Sequence, residues 1–67
     1  MGITPVAYVN RYRIRQARAL LEDTDRNITE VALKVGFSNS SYFGRVFRRE
    51  EGVSPTAFRR GERSPSN

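Results

Sequence analysis

The sequence predicts an all-α domain of three to four short helices around a handful of large apolar side chains. Cap signals for helix starts recur at Thr4-Pro5, Asn27, Ser38-Asn39 and Ser54-Pro55. Between them, apolar residues return at three- and four-residue spacing, the period of a helix with one buried face. The 67 residues leave room for one small domain. A chain of that size buries only about 60% of its unfolded surface, so its stability is marginal.

Thr4 is a hydroxyl at the N-cap and Pro5 fills the first helical position, where its missing N–H costs nothing. From Pro5 to about Glu22 nothing breaks the helix. Ile14, Ala17 and Leu21 form its apolar stripe, with Leu20 widening it and Tyr8 and Val9 extending it backwards. Arg11, Arg15 and Arg18 occupy the other face, and Glu22-Asp23-Thr24-Asp25 reads as a polar loop. Asn27-Ile28-Thr29-Glu30 reads as a capping box. The helix it opens turns Ile28, Val31, Ala32 and Val35 inward and ends at Gly36. At barely two turns it needs packing to hold it in water. Phe37 anchors the following turn, and Ser38-Asn39 caps a third helix from about Ser40 to Glu50 with Phe43, Val46 and Phe47 inward. Gly52 stops it. Ser54-Pro55 starts a short last helix carrying Phe58, Arg59 and Arg60. The tail from Gly61 to Asn67 is Gly, Ser, Pro, Asn and charge, and reads as disordered. The expected organisation is therefore residues 1–4 left from a preceding motif, a domain over 5–60, and a tail over 61–67.

Twelve basic residues, eleven of them arginine, stand against seven acidic ones, a net charge of +5. A chain this basic is drawn to polyanions, which makes nucleic acid or an anionic membrane the partners to weigh. Arginine suits phosphate because its planar fork donates two parallel hydrogen bonds. The membrane reading is the weaker, since no exposed apolar face lies opposite the basic residues. The uncharged stretch from Met1 to Asn10 is too short and polar for a signal peptide or a span, so a soluble, cytoplasmic protein is expected. With no cysteine there is no disulfide or thiolate metal site to propose, and no cofactor is implied. Catalysis has little support. Histidine is absent, the serines have no base in a recognisable pattern, and there is no Gly-rich phosphate loop.

Gly2-Ile3-Thr4-Pro5-Val6-Ala7-Tyr8 and Gly52-Val53-Ser54-Pro55-Thr56-Ala57-Phe58 match position by position at an offset of 50 residues. Periods of this size mark duplicated structural units. The second heptapeptide closes the two-helix unit from Ile28 to Glu50. By analogy the first closes another such unit upstream of Met1, and the chain is expected to be a fragment or an excised domain.

Two short helices joined by Gly36-Phe37-Ser38-Asn39 are the arrangement of a small helix-turn-helix (homeodomain-like) unit. In such a unit the second helix enters the major groove. It must be apolar on one side to dock on its scaffold, and small and polar near its N-terminus so that backbone approaches base edges. Arginines one and two turns in then reach guanine or phosphate. The same residues carry a resemblance. The run ALKVGFSNSSYFGRVFRR from Ala32 to Arg49, followed by Gly52-Val53-Ser54-Pro55 and Phe58-Arg59, resembles the AraC/XylS family of bacterial transcription regulators. So do Pro5, Tyr8, Arg13-Ile14, Ala17 and Leu20-Leu21 upstream.

That resemblance implies two helix-turn-helix units joined by a long linker helix, here Pro5 to Glu22, with this chain holding the linker and the second unit. It implies double-stranded DNA as partner and a separate sensing or dimerising domain in the parent protein; RNA polymerase is a further candidate partner. Ser40, Ser41, Gly44 and Arg45 are the implied base readers. Asn27, Ile28, Asn39, Tyr42, Arg48 and Arg49 are the implied backbone contacts, the N-terminus of the Ile28 helix sitting on phosphate. Gly44 has no side chain to donate to a base, and Ser40 and Ser41 are short, so this half is expected to position more than to specify.

Bland readings stand beside these. Arg45, Arg48 and Arg49 are either DNA contacts, which the motif favours, or a solvated face partnering Glu50 and Glu51. For Arg11, Arg15 and Arg18 the solvated face is the better reading, with phosphate contact second. For Arg13, pairing with a carboxylate such as Glu30 is an equal alternative. Tyr42 either reaches phosphate with its hydroxyl or simply packs, while Phe37, Phe43, Phe47 and Phe58 are core. The alternative function is a protein-interaction module using the same basic helix face against an acidic partner.

Overall fold

The helix starts are decided locally. Thr4 has extended backbone, its Oγ1 accepts from Ala7 N at 3.1 Å, and Pro5 follows to begin α1 (Pro5–Asp23). Asn27 opens α2 (Ile28–Lys34) with a complete capping box: its Oδ1 accepts from Glu30 N at 2.8 Å while Glu30 Oε1 accepts from Asn27 N at 3.1 Å. Asn39 Oδ1 accepts from Tyr42 N at 2.8 Å to start α3 (Ser40–Glu51). Ser54 Oγ accepts from Ala57 N at 3.1 Å to start α4 (Pro55–Arg59). The computed structural model describes residues 4–62, and these four helices are the regular structure among them. Residues 1–3, with Gly2 and Ile3 of the first heptapeptide, and most of the expected tail, 63–67, lie outside the described residues.

Helix ends follow the same logic. Gly36 takes φ +107°, and the reversal lets Phe37 N donate to Ala32 O at 2.9 Å and Gly36 N to Leu33 O at 3.1 Å. That pair of bonds is a Schellman cap, with Phe37 turned back onto the helix it ends. Gly61 N and Glu62 N close α4 in the same pattern on Phe58 O and Ala57 O, both at 3.0 Å. These two residues, which composition groups with the tail, therefore belong to a helix cap.

Ile14, Ala17 and Leu21 of α1, Val31 and Ala32 of α2, Phe37 of the turn, Phe43, Val46 and Phe47 of α3, and Phe58 of α4 make one core. Four aromatic rings run through it in series: Phe37 to Phe43 at 5.2 Å, Phe43 to Phe47 at 5.7 Å and Phe47 to Phe58 at 5.4 Å. The series ties the turn before α3 to the helix after it. Leu20, Ile28 and Val35 pack on the core but stay partly open. One sequence expectation fails at the start of α1, where Tyr8 and Val9 are exposed instead of extending the stripe. Asn10, on the periodicity of Ile14, takes the buried place because the body of the domain meets α1 only from there on.

The end of α1 has no basic residue of its own to neutralise its last carbonyls. Arg59 supplies the charge from α4, its Nε donating to Leu21 O and its Nη2 to Thr24 O, both at 3.1 Å. Hydrogen bonds from a charged donor are worth about 1.5–3 kcal/mol. Arg59→Ala is therefore expected to lower stability by about that much in urea denaturation followed by circular dichroism. Arg59→Lys should recover only part, because an ammonium cannot span both carbonyls with a planar fork. Equal midpoints for Arg59→Ala and wild type would show that the staple contributes nothing.

Candidate nucleic-acid interface

Phe43, Val46 and Phe47 bury one side of α3, which fixes what the other side presents. Ser41, Arg45, Arg48 and Arg49 are exposed there, and Ser40 and Gly44 are half-buried. Residues three and four apart share a helix face, so Ser41, Arg45, Arg48 and Arg49 form one stripe. A Cβ placed on Gly44 meets nothing within 4 Å. The missing side chain is thus no requirement of packing, and the backbone of α3 is open to close approach at that point.

The carboxylates that might have neutralised this stripe are turned away from it. Glu50 pairs with Arg11 at 3.4 Å and Glu51 with Arg18 at 3.7 Å, both joining α3 to α1. Among the described residues, Arg45, Arg48 and Arg49 take part in none of the ion pairs found. Arg11 and Arg18 are consequently not a purely solvated face, and Arg18 also lies 5.8 Å from the centre of the Phe58 ring.

Arg13 corrects an expectation. Its guanidinium sits 5.8 Å from the centre of the Phe37 ring and against Gly36, and no ion pair with Glu30 forms. Glu30 is already engaged at the start of α2, and the face of an aromatic ring attracts a cation as its ion-pair partner would. The capping box has a second consequence. It uses the N–H groups of Asn27 and Glu30 and places a carboxylate at the start of α2. The Ile28 side chain packs on the core, so any contact made at this position falls to its backbone.

Tyr42 follows the packing alternative, and its hydroxyl has a partner within the domain. It packs at 5.8 Å from Phe37 while remaining 40% exposed, and its Oη accepts from Asn10 Nδ2 at 3.2 Å. A groove of about 430 Å³ between α1 and α2, lined by Tyr12, Gln16, Leu20, Lys34 and Val35, holds no acid–base pair.

A sequence-family model described as a helix-turn-helix domain matches residues 1–61, nearly all of the chain. The chain belongs to the AraC/XylS-type helix-turn-helix family. Its similarity to the HTH-type transcriptional activator RhaS of Enterobacter sp. (strain 638) is 45% identity over 60 residues, 90% of this chain and 22% of that protein. RhaS of Salmonella arizonae matches to the same extent. The chain thus spans about a fifth of the length of these curated relatives. Among solved structures, the DNA-binding domain of AdpA, a global transcriptional factor crystallised with a target DNA, superposes with a TM-score of 0.86. That match has 36% identity and covers 91% of this chain and 55% of the other.

In this AraC/XylS-type unit, two residues that tie its helices together were not legible as such from the sequence. Asn10 carried a signal, a polar residue on the buried period of Ile14, Ala17 and Leu21. Arg59 carried none, because its acceptors lie 35 and 38 residues away on α1.

Proposed function

We propose that this chain is a double-stranded DNA-binding module of a transcription regulator, with α3 laid in the major groove. The observation that carries this reading is the stripe of Arg45, Arg48 and Arg49 on the exposed side of α3, with the neighbouring carboxylates drawn off to α1. Ser40, Ser41 and Gly44 let the helix approach base edges and read them permissively. Arg45 is the reader with reach, as a fork to guanine O6 and N7. Arg48, Arg49, Asn39, Tyr42 and the start of α2 at Asn27 and Ile28 set the register on phosphates. The work of the module is binding rather than catalysis, and its place is with the chromosome in the cytoplasm.

The first heptapeptide supports a second unit upstream in the parent protein. Thr4 and Ser54 cap their helices in the same backbone conformation, yet Tyr8 is 65% exposed where its counterpart Phe58 is 2% exposed. Pro5, Val6 and Tyr8 would then be the closing residues of that unit, as Pro55 and Phe58 are here. The parent carries a sensing domain beyond both units on this reading. One module alone then binds weakly, in the range of about 10⁻⁴–10⁻⁶ M of non-specific complexes, and gains by linkage to its partner.

The test is fluorescence anisotropy on a mixed-sequence duplex across a salt series, with Arg45→Ala beside wild type. Affinity should fall with salt at a log–log slope of about −0.9 per phosphate neutralised. Arg45→Ala should lose about 1–3 kcal/mol on preferred sequences and less on the rest. Absence of duplex binding at low salt would overturn the reading and favour an acidic protein surface, such as one on RNA polymerase, for the same stripe.

A further inference from the structure

The hydrogen bond between Asn10 and Tyr42 has a direction. With the amide oriented so that Asn10 Nδ2 faces Tyr42 Oη at 3.2 Å, the phenol oxygen accepts and its own proton is left for another partner. Asn10 is 4% exposed and cannot meet a ligand itself. The groove beside it, about 250 Å³ lined by Pro5, Val6, Val9, Asn10 and Arg13, offers no carboxylate that would capture the proton. The Tyr42 ring is held against Phe37, and its backbone N–H is taken by Asn39. The phenol proton is the donor that this side chain has left to present.

We propose that Asn10 is a positioning residue for DNA binding: by donating to Tyr42 Oη it commits the phenol proton outward, to a phosphate oxygen beside the start of α3. The inference rests on the DNA reading above and adds a polarity to it. Phosphate oxygens only accept, so a Tyr42 hydroxyl whose proton were drawn inward would oppose one instead of binding it.

Asn10→Asp tests the polarity with almost no change of shape, since a carboxylate accepts the phenol proton and reverses the bond. Asn10→Leu removes the bond without burying a charge. Each is combined with Tyr42→Phe and titrated by anisotropy against a mixed-sequence duplex at low salt, with circular dichroism checking the fold at the same temperature. Asn10→Asp should weaken binding by roughly tenfold, the size of one hydrogen bond to a charged acceptor, and Asn10→Leu by less. In the Tyr42→Phe background most of both losses should vanish, which neither a general loss of stability nor the added charge would produce. A folded Asn10→Asp variant that binds as well as wild type, or losses that persist unchanged with Tyr42→Phe, would overturn the proposal. Should Asn10→Asp not fold, the Asn10→Leu cycle alone decides, coupling supporting the proposal and additivity ending it. A wild-type chain that binds no duplex defeats the DNA reading and this inference together. Wild-type binding with additive losses defeats the inference alone.

Discussion

Phe47→Ala abolishes cooperative folding of this chain. Phe47 is fully buried, and its ring stands between Phe43 and Phe58, the joint that ties α3 to α4. Removing a buried phenylalanine side chain costs about 3–5 kcal/mol through lost transfer energy and the cavity left behind. At roughly 0.05–0.15 kcal/mol per residue, some sixty ordered residues hold only about 3–9 kcal/mol in all. The loss is therefore comparable to the whole stability. Thermal unfolding by far-UV circular dichroism should show a broad, low transition or none, and Phe47→Leu should retain a cooperative one at lower temperature. A sharp transition for Phe47→Ala near the wild-type midpoint would mean that the aromatic series is not what holds α3 in place.

Gly36→Ala should cost about 1.5–3 kcal/mol, from two separable causes. A side chain at φ +107° is strained whatever space surrounds it, which accounts for about 1–2 kcal/mol. The new Cβ would also lie 2.9 Å from Arg13 Nε, so the guanidinium must leave the Phe37 ring. That displacement is easy sterically but forfeits about 0.5–1 kcal/mol of cation–π attraction. Urea denaturation of Gly36→Ala in wild-type and Arg13→Ala backgrounds separates the terms: with Arg13 removed, only the backbone strain remains. Equal costs in the two backgrounds would show that Arg13 contributes nothing at the turn. Because the turn sets how α3 leaves α2, duplex affinity should fall with stability in these variants.

Much of the architecture was legible because its causes are local. Thr4, Asn27, Asn39 and Ser54 each accept from a backbone N–H three residues on, and such signals survive in a bare sequence. The inward residues of α3 followed from spacing alone, as did Ile14, Ala17 and Leu21 of α1. The exposed stripe that forms the candidate site was legible for the same reason, as the complement of the buried face. Tyr8 and Val9 misled because periodicity continues past the point where a neighbouring element stops covering the helix.

The sequence by itself determined where the helices begin, the apolar stripe of Ile14, Ala17 and Leu21 on α1, and the buried and basic sides of α3. Those properties depend on contacts one to four residues apart, which any chain with these residues forms in the same way. The tertiary structure alone decided the partners of the polar side chains. Arg13 went to Phe37 instead of Glu30, Arg11 and Arg18 drew Glu50 and Glu51 away from the α3 stripe, and Asn10 met Tyr42 from 32 residues away. Each of those residues had several partners of suitable chemistry, and only the angle at which the packed helices cross brings one within reach.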